Sequence, residues 1–348
     1  MKKRLFCKRF LGGFLLILLL SGTINLYSQN MTHDEKYLYR ATSKGLMVID
    51  KQTYEQKVYV KGDVLMDTPS SLFLRGDTLW VGQRGSWITK LCGDSLYSFR
   101  VEGIDEFYSG GSPQIICIGP DGDLFMAMLD HLIRVEDEYA VEELWIPTAV
   151  LEEEITGMDF DSKGTLWITS MGSVKESALC RYTKEGGLEF VTTDFGSFRA
   201  LDIDENDNIW LASNYCVVKY DGNNFSSILR TGSLIEKIRF DTQGVLWILC
   251  RDGVLKSFDG NNCTDFSFTL ENKEHFRRMD VDNDCIYIST NKRLLIFHDG
   301  EFSNLEVSSA IEEVQLCKDS RMPERIYNLA GQRVGATYKG IKINKVIR

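Results

Sequence analysis

The stretch "DSKGTLWITS", residues 161–170, reads as a polar turn running straight into a short apolar strand, and the chain repeats it at "DENDNIWLAS" (204–213) and "DTQGVLWILC" (241–250). In each copy an aspartate opens the turn, its carboxylate placed to accept backbone N–H groups, and Gly164 and Gly244 supply the positive φ that such turns need. Working outward, the same order of polar turn, aliphatic residue and aromatic recurs at Tyr39, Trp80, Phe125, Trp167, Trp210, Trp247 and Tyr287. The spacing is about 42 residues, the length of one four-stranded propeller blade. Helical repeats of similar length would show a 3.6-residue periodicity, and these segments show short strands instead.

Within a unit, the first strand (a) is "MDFD", "LDID", "IRFD" or "MDVD", and the second (b) carries the aromatic. The third (c) is "CVVKY", "GVLKSF" or "RLLIF", closed by Asp221-Gly222, Asp259-Gly260 or Asp299-Gly300. Asp-Gly between apolar strands is a hairpin signal. The aromatic of strand b is expected to pack between neighbouring blades, which makes the repeated phrase scaffold and not an active-site motif. The expected fold is therefore all-β: a seven-bladed β-propeller of four-stranded antiparallel blades over residues 31–317, with a short β-rich tail over 318–348.

Residues 1–30 differ from the rest. Lys2, Lys3, Arg4, Lys8 and Arg9 precede an apolar run from Phe10 to Leu20, followed by small and polar residues, the layout of a cleaved signal peptide. The run is shorter than the roughly 20 residues of a spanning helix, and no other segment is long and apolar enough to span. The expected location is outside the cytoplasm: periplasm, cell surface or medium. Removing residues 1–30 leaves 35 basic against 50 acidic side chains. A strongly negative surface repels phosphate backbones, so no nucleic-acid partner is expected. The remaining eight cysteines sit mostly in apolar strand-like runs, and no C-x-x-C pair occurs; buried free thiols are expected over a disulfide framework. The acids of "DVDNDC" (280–285) begin like a calcium loop, but Cys285 and Asn291 stand where glycine and glutamate are required. No metal and no cofactor are expected.

The phrase D-x-x-G-x-L-W-I followed by "xKYDG" resembles the two-component-regulator propeller repeat, typical of extracellular sensor regions of Bacteroides-type bacteria. The resemblance covers roughly residues 31–305 and is strongest in the fourth to sixth units. In that family a membrane helix and a histidine kinase usually follow, and neither is recognisable here. The ending, "RIYNLAGQRV" with "YKGIKINKVIR", is similar to the tails of proteins exported by the type IX route. Lys342 stands where that tail has tyrosine, and its terminal glycine is missing. The segment "AIEEVQLCKDS", from Ala310, matches both a first strand and turn ("LIEKIRFDTQG") and a linker to the tail. The expectation taken is that it completes the first blade, which shows no clear first strand of its own.

A blade places its a–b and c–d turns on one face and its b–c and d–a loops on the other. Variation collects on the second face, so binding residues are expected there. The candidates are Arg84, Trp87, Tyr108, His131, Arg199, Asn214, Tyr215, Arg251, His275 and Arg277, a set rich in aromatic and arginine side chains within an acidic protein. Such groups suit a glycan fragment or a surface protein as partner. Trp87, Phe198 and Phe276 equally fit strand starts packed between blades. No catalytic residue is assigned, since the chain lacks a nucleophile elbow, H-E-x-x-H or phosphate loop. A propeller lyase, with His275 beside Glu271 or Glu274, or a glycan hydrolase is the alternative, and a structural surface component the third. A monomer is expected.

Overall fold

The computed structural model describes residues 31–42, 45–60, 69–93, 95–104, 111–146, 155–171, 179–191, 193–195, 197–283 and 285–305, with the backbone of 312–314, 325–327 and 343–345. Blade one comprises β1 (Met31–His33), β2 (Tyr37–Thr42), β3 (Gly45–Asp50) and β4 (Gln56–Val60). Blade two comprises β5 (Pro69–Arg75), β6 (Thr78–Gln83), β7 (Trp87–Cys92) and β8 (Ser95–Arg100). Blade three follows with β9 (Ile115–Ile118), β10 (Leu124–Met128), β11 (His131–Glu136) and β12 (Tyr139–Trp145), and blade four with β13 (Ile155–Phe160), β14 (Leu166–Ser170), β15 (Leu179–Thr183) and β16 (Gly187–Val191). Blade five has β17 (Ala200–Ile203), β18 (Ile209–Ala212), β19 (Cys216–Tyr220) and β20 (Phe225–Arg230); blade six has β21 (Ile235–Phe240), β22 (Leu246–Cys250), β23 (Val254–Phe258) and β24 (Cys263–Ser267). Blade seven is β25 (Phe276–Val281), β26 (Ile286–Thr290), β27 (Leu294–His298) and β28 (Glu301–Leu305). The first strands contact one another in chain order, and β25 contacts β1, so the seven sheets form a closed ring around a channel.

All seven repeat aromatics lie in second strands, and each pairs with one residue of the first strand: Thr32, Phe73, Cys117, Asp159, Asp202, Arg239 and Asp280 in blade order. The blades are therefore in register with one another. Each aromatic leans on the next blade. Phe125 meets Phe160 and Tyr182 of blade four at 5.5 and 5.6 Å, Trp167 meets Tyr220 of blade five at 5.8 Å, and Trp210 meets Phe240 of blade six at 5.3 Å. Trp247 meets Phe297 of blade seven at 5.7 Å.

The turn aspartates do more than cap. One oxygen of Asp161 accepts the N–H groups of Lys163 and Thr165 at 3.0 and 2.8 Å, while the other accepts the indole N–H of Trp167 at 3.0 Å. Asp204 and Asp241 hold Trp210 and Trp247 in the same way at 2.8 and 2.9 Å. In blade one Asp34 takes the Tyr39 hydroxyl at 2.6 Å. The glycines called for in these turns have φ of 83° at Gly164 and 81° at Gly244; blade five uses Asp207 at 60° instead, and its carboxylate accepts Ser162 N–H and Oγ–H of blade four at 2.8 and 2.7 Å.

Closure differs from the expectation. Blade one has its own first strand, β1, and the segment at β29 (Glu312–Val314) pairs parallel with β4, on the outer edge of that blade. It lies far from the channel. The ring closes through side chains: Met31, Leu38, Met47 and Ile49 pack with Tyr287, Leu294 and Ile296 of blade seven. Two ion pairs flank this seam, His33 Nδ1 to Asp280 at 2.7 Å and Lys51 to Asp282 at 2.5 Å. Those pairs engage Asp280 and Asp282 of the calcium-like motif. In the tail, β30 (Arg325–Tyr327) pairs antiparallel with β31 (Ile343–Lys345). Of the cysteines described, Cys117, Cys180, Cys216 and Cys250 are buried free thiols, and no disulfide occurs among the described residues.

Trp167→Ala is expected to destabilise the ring by roughly 3–5 kcal/mol, read by denaturant melts, as for a large buried aromatic. At the seam, burial opposes charge on His33, but the bond to Asp280 and the charges of Asp280 and Asp282 outweigh it and lift its pKa above 6.5. The folded ring thus holds that proton more tightly than the unfolded chain, so this contribution is complete below pH 6.5 and lost as pH rises through the higher folded value. His33→Ala should lower Tm at acidic pH and leave it nearly unchanged at alkaline pH.

Candidate functional site

The b–c and d–a loops gather at one end of the ring, and the sequence-expected residues divide there into two groups. Blades five to seven carry Arg199, Asn214, Tyr215, Arg251, His275 and Arg277, all close to the first strands. The Arg199 guanidinium donates to Asn214 Oδ1 at 3.1 Å, and Tyr215 beside it is 55% exposed. Arg251 is paired with Glu236. His275 and Asn291 exchange backbone N–H bonds, with the Asn291 side chain taking the His275 N–H at 2.9 Å. Arg84, Trp87 and His131 belong to blades two and three, across the channel, and are not joined to the first group. Trp87 opens β7 and is partly covered; Phe198, a d–a candidate by sequence, is fully buried. Phe276 packs on Phe268 at 5.5 Å. Tyr108 lies outside the described residues.

His131 sits toward the rim, its Nδ1 2.8 Å from Asp130, whose other oxygen accepts the Trp145 indole N–H at 2.8 Å. Trp145, at 57% exposure, is an aromatic the sequence reading passed over. The acids beside His275 are committed elsewhere. Burial alone would raise the pKa of Glu274, but Arg293, the Glu271 N–H and Thr290 outweigh it and bring it to about 2. Glu271 pairs with Lys292 at 2.9 Å.

Inside the channel, two levels of side chains follow from the strand register. The level toward the a–b turns holds Asp159, Asp202, Arg239 and Asp280, with Arg239 donating to Asp202 at 3.0 Å and lying 3.8 Å from Asp159. Burial raises Asp159 to about 6, against the pull of Arg239. Two residues earlier, toward the b–c loops, the same strands present Gly157, Ala200, Lys237 and Arg278. Burial, with the positive charges of Arg278 and Arg239, pulls Lys237 down to about 7. Sequence reasoning missed this ladder, although "IEKIRFD" and "FRRMDVD" each place a base four residues before the turn aspartate.

A cleft lies on the opposite face, between blades one and two. It encloses about 1010 Å³ and is lined by Tyr37, Tyr39, Tyr59, Asp34, Asp50 and Asp77 among others. Its cause is local: blade two turns through only Gly76-Asp77, so no five-residue aspartate turn covers the gap.

These features define a seven-bladed β-propeller with a polar loop end, a charged channel and an open inter-blade cleft. No family model matches the sequence, and no curated protein does. The fold is similar to a catalytically inactive virginiamycin B lyase from Staphylococcus aureus solved with quinupristin, at 12% identity and a TM-score of 0.63, covering 79% of this chain and 95% of that one. It is also similar to YCF48 bound to D1 peptide, at 13% identity and a TM-score of 0.55, covering 81% and 94%. The extracellular domain of a putative hybrid two-component system from B. thetaiotaomicron is 15% identical with a TM-score of 0.49, covering 79% of this chain and 46% of that one. Among the described residues, no helix is long and apolar enough to cross a membrane.

The unfolded chain keeps a lysine proton up to 10.5, whereas the ring releases that of Lys237 near 7, so this residue makes stability rise with pH between those values. Lys237→Met should raise Tm at neutral pH and remove that part of the slope in pH-dependent melts. Comparison with the unsubstituted chain separates the lysine from the buried thiols, which act in the opposite sense above about pH 8.5.

Proposed function

We propose that this chain is an exported binding propeller that recognises a glycan fragment or a surface protein at the b–c/d–a end of blades five to seven. The observation that carries the reading is the exposed Tyr215 ring, next in the chain to the Asn214 that holds the Arg199 guanidinium. An open aromatic face next to an oriented donor offers stacking and hydrogen bonding together, and aromatic and arginine side chains dominate protein interfaces in the same way. The charged N-terminal run with its apolar core supports a signal peptide over residues 1–30, and the repeat phrase supports a two-component-regulator type of propeller over 31–317. The ending over 318–348 supports a sorting tail of the type IX kind; the proposed location is periplasm, cell surface or medium, and the proposed state a monomer. Two propellers of similar fold were solved with a bound molecule, one with quinupristin and one with a peptide.

A thermal-shift screen against oligosaccharides and peptidoglycan fragments, followed by pull-down from the cell surface, tests this. Tyr215→Ala and Arg199→Ala should each weaken binding about tenfold, the loss of roughly 1.4 kcal/mol, without lowering Tm. An added loss in Trp87→Ala identifies a ligand spanning the channel mouth; binding that survives both blade-five substitutions overturns the assignment. A second reading rests on the cleft between blades one and two, whose volume and three tyrosines suit a sugar and whose carboxylates keep glycan hydrolysis as the alternative activity. Binding lost in Tyr37→Ala and kept in Tyr215→Ala selects it.

A further inference from the structure

We propose that the cleft between blades one and two selects a sugar that carries a free ammonium group, an amino sugar of a glycan. The inference rests on the reading of that cleft as a sugar site and names the group that decides which sugar enters. Its floor belongs to the core between the two blades: Tyr39, Tyr59, Val48 and Leu91 are buried, and the partly buried Tyr37 and Leu74 pack against them. Around this floor stand five carboxylates, Asp34, Glu35, Asp50, Glu55 and Asp77, against the two ammonium groups of Lys36 and Lys57. The lining therefore has an excess of negative charge.

The carboxylates divide by what they hold. Asp34 accepts the N–H groups of Lys36 and Tyr37 at 2.8 and 2.6 Å and the Tyr39 hydroxyl at 2.6 Å, and Asp50 accepts those of Gln52 and Thr53 at 2.9 and 3.0 Å. Both are built into turns. Glu35, Glu55 and Asp77 are exposed, and among the described residues their side chains make no hydrogen bond or ion pair. They are the acids open to a ligand. The tyrosine walls already face positive charge: Lys36 Nζ lies 4.8 Å from the centre of the Tyr37 ring, and Lys57 Nζ 4.9 Å from that of Tyr59. The chain's own ammonium groups mark what these rings attract, since the face of an aromatic ring is its negative part. A sugar ring laid against the tyrosines brings apolar C–H groups to them, and an amine at its edge reaches the open carboxylates. A charge-assisted bond is stronger than one from a neutral hydroxyl, so the charge sets the preference among sugars. An enclosed space of about 1010 Å³ between two blades suits a short sugar better than a long basic chain.

The experiment titrates the whole chain by calorimetry at about pH 6, where amines are charged and carboxylates ionised. The probes are a tetramer of glucosamine, the matching tetramer of N-acetylglucosamine, and trilysine. The glucosamine tetramer should bind about tenfold more tightly than its acetylated counterpart, and the difference should shrink as salt rises from about 50 to about 500 mM. Asp77→Asn and Glu55→Gln should each erase most of that difference and leave both the acetylated sugar and Tm unaffected, because neither acid holds the fold. Tyr37→Ala should weaken both sugars. Equal binding of the two tetramers, lost in Tyr37→Ala, overturns the ammonium preference and keeps the cleft as a sugar site. Trilysine binding that depends on Asp77, with neither sugar bound, overturns the amino sugar in favour of a basic peptide. No binding of any of the three, or glucosamine binding that survives all three substitutions, overturns the cleft site itself.

Discussion

One carboxylate governs the geometry of each regular blade. In blades four, five and six it ties down the a–b turn with one oxygen and the indole of the second strand with the other. The bond to the ring fixes where the aromatic points, and that direction sets its contact with the next blade. For Asp204, burial works against ionisation, but the indole and amide donors outweigh it and hold the pKa below its ordinary value. The turn and the inter-blade core are therefore not separate stabilising elements: loosening the turn frees the aromatic, and freeing the aromatic opens the seam.

The ring was legible in the sequence because this latch needs the same residue types at the same spacing each time. Trp167, Trp210 and Trp247 stand six residues after their aspartates, and the weaker copies at Tyr39, Trp80, Phe125 and Tyr287 fell into the same register. Closure was misread for a physical reason. "MTH" at β1 is too short and too polar to resemble "MDFD" or "LDID", whereas "AIEEV" imitates them; only pairing shows that Met31–His33 lines the channel and Glu312–Val314 the outer edge. The cleft beside blade one was hidden because it arises from what blade two lacks, a long turn.

The candidate residues were legible as a class and not as a site. Loop positions could be placed on one end, but whether two of them meet depends on the ring, which sets Arg199 beside Asn214 and leaves Arg84, Trp87 and His131 across the channel. The channel charges show the opposite case. Their strand positions were readable, yet their meaning required seeing that Asp159, Asp202, Arg239 and Asp280 share one level and Lys237 and Arg278 another. At its axis the protein sets Lys237, Arg239 and Arg278 close to Asp202 and Asp280, where the surrounding sheets exclude the solvent that would otherwise screen their charges.

Because β1 directly precedes β2 in the chain, the four antiparallel strands of each of the seven blades come from a single contiguous stretch of 30 to 37 residues, and only β29 joins an outer edge from a distance. None of these antiparallel strands has to wait for a distant partner, so most pairings are local and the main loop-closure cost falls at the junction of blades seven and one. Assembly can therefore proceed in the order in which the chain emerges, each blade finding its predecessor's aromatic already in place. The last event is the meeting of Tyr287 with Leu38 and Met47, a docking of finished surfaces and not an exchange of strands.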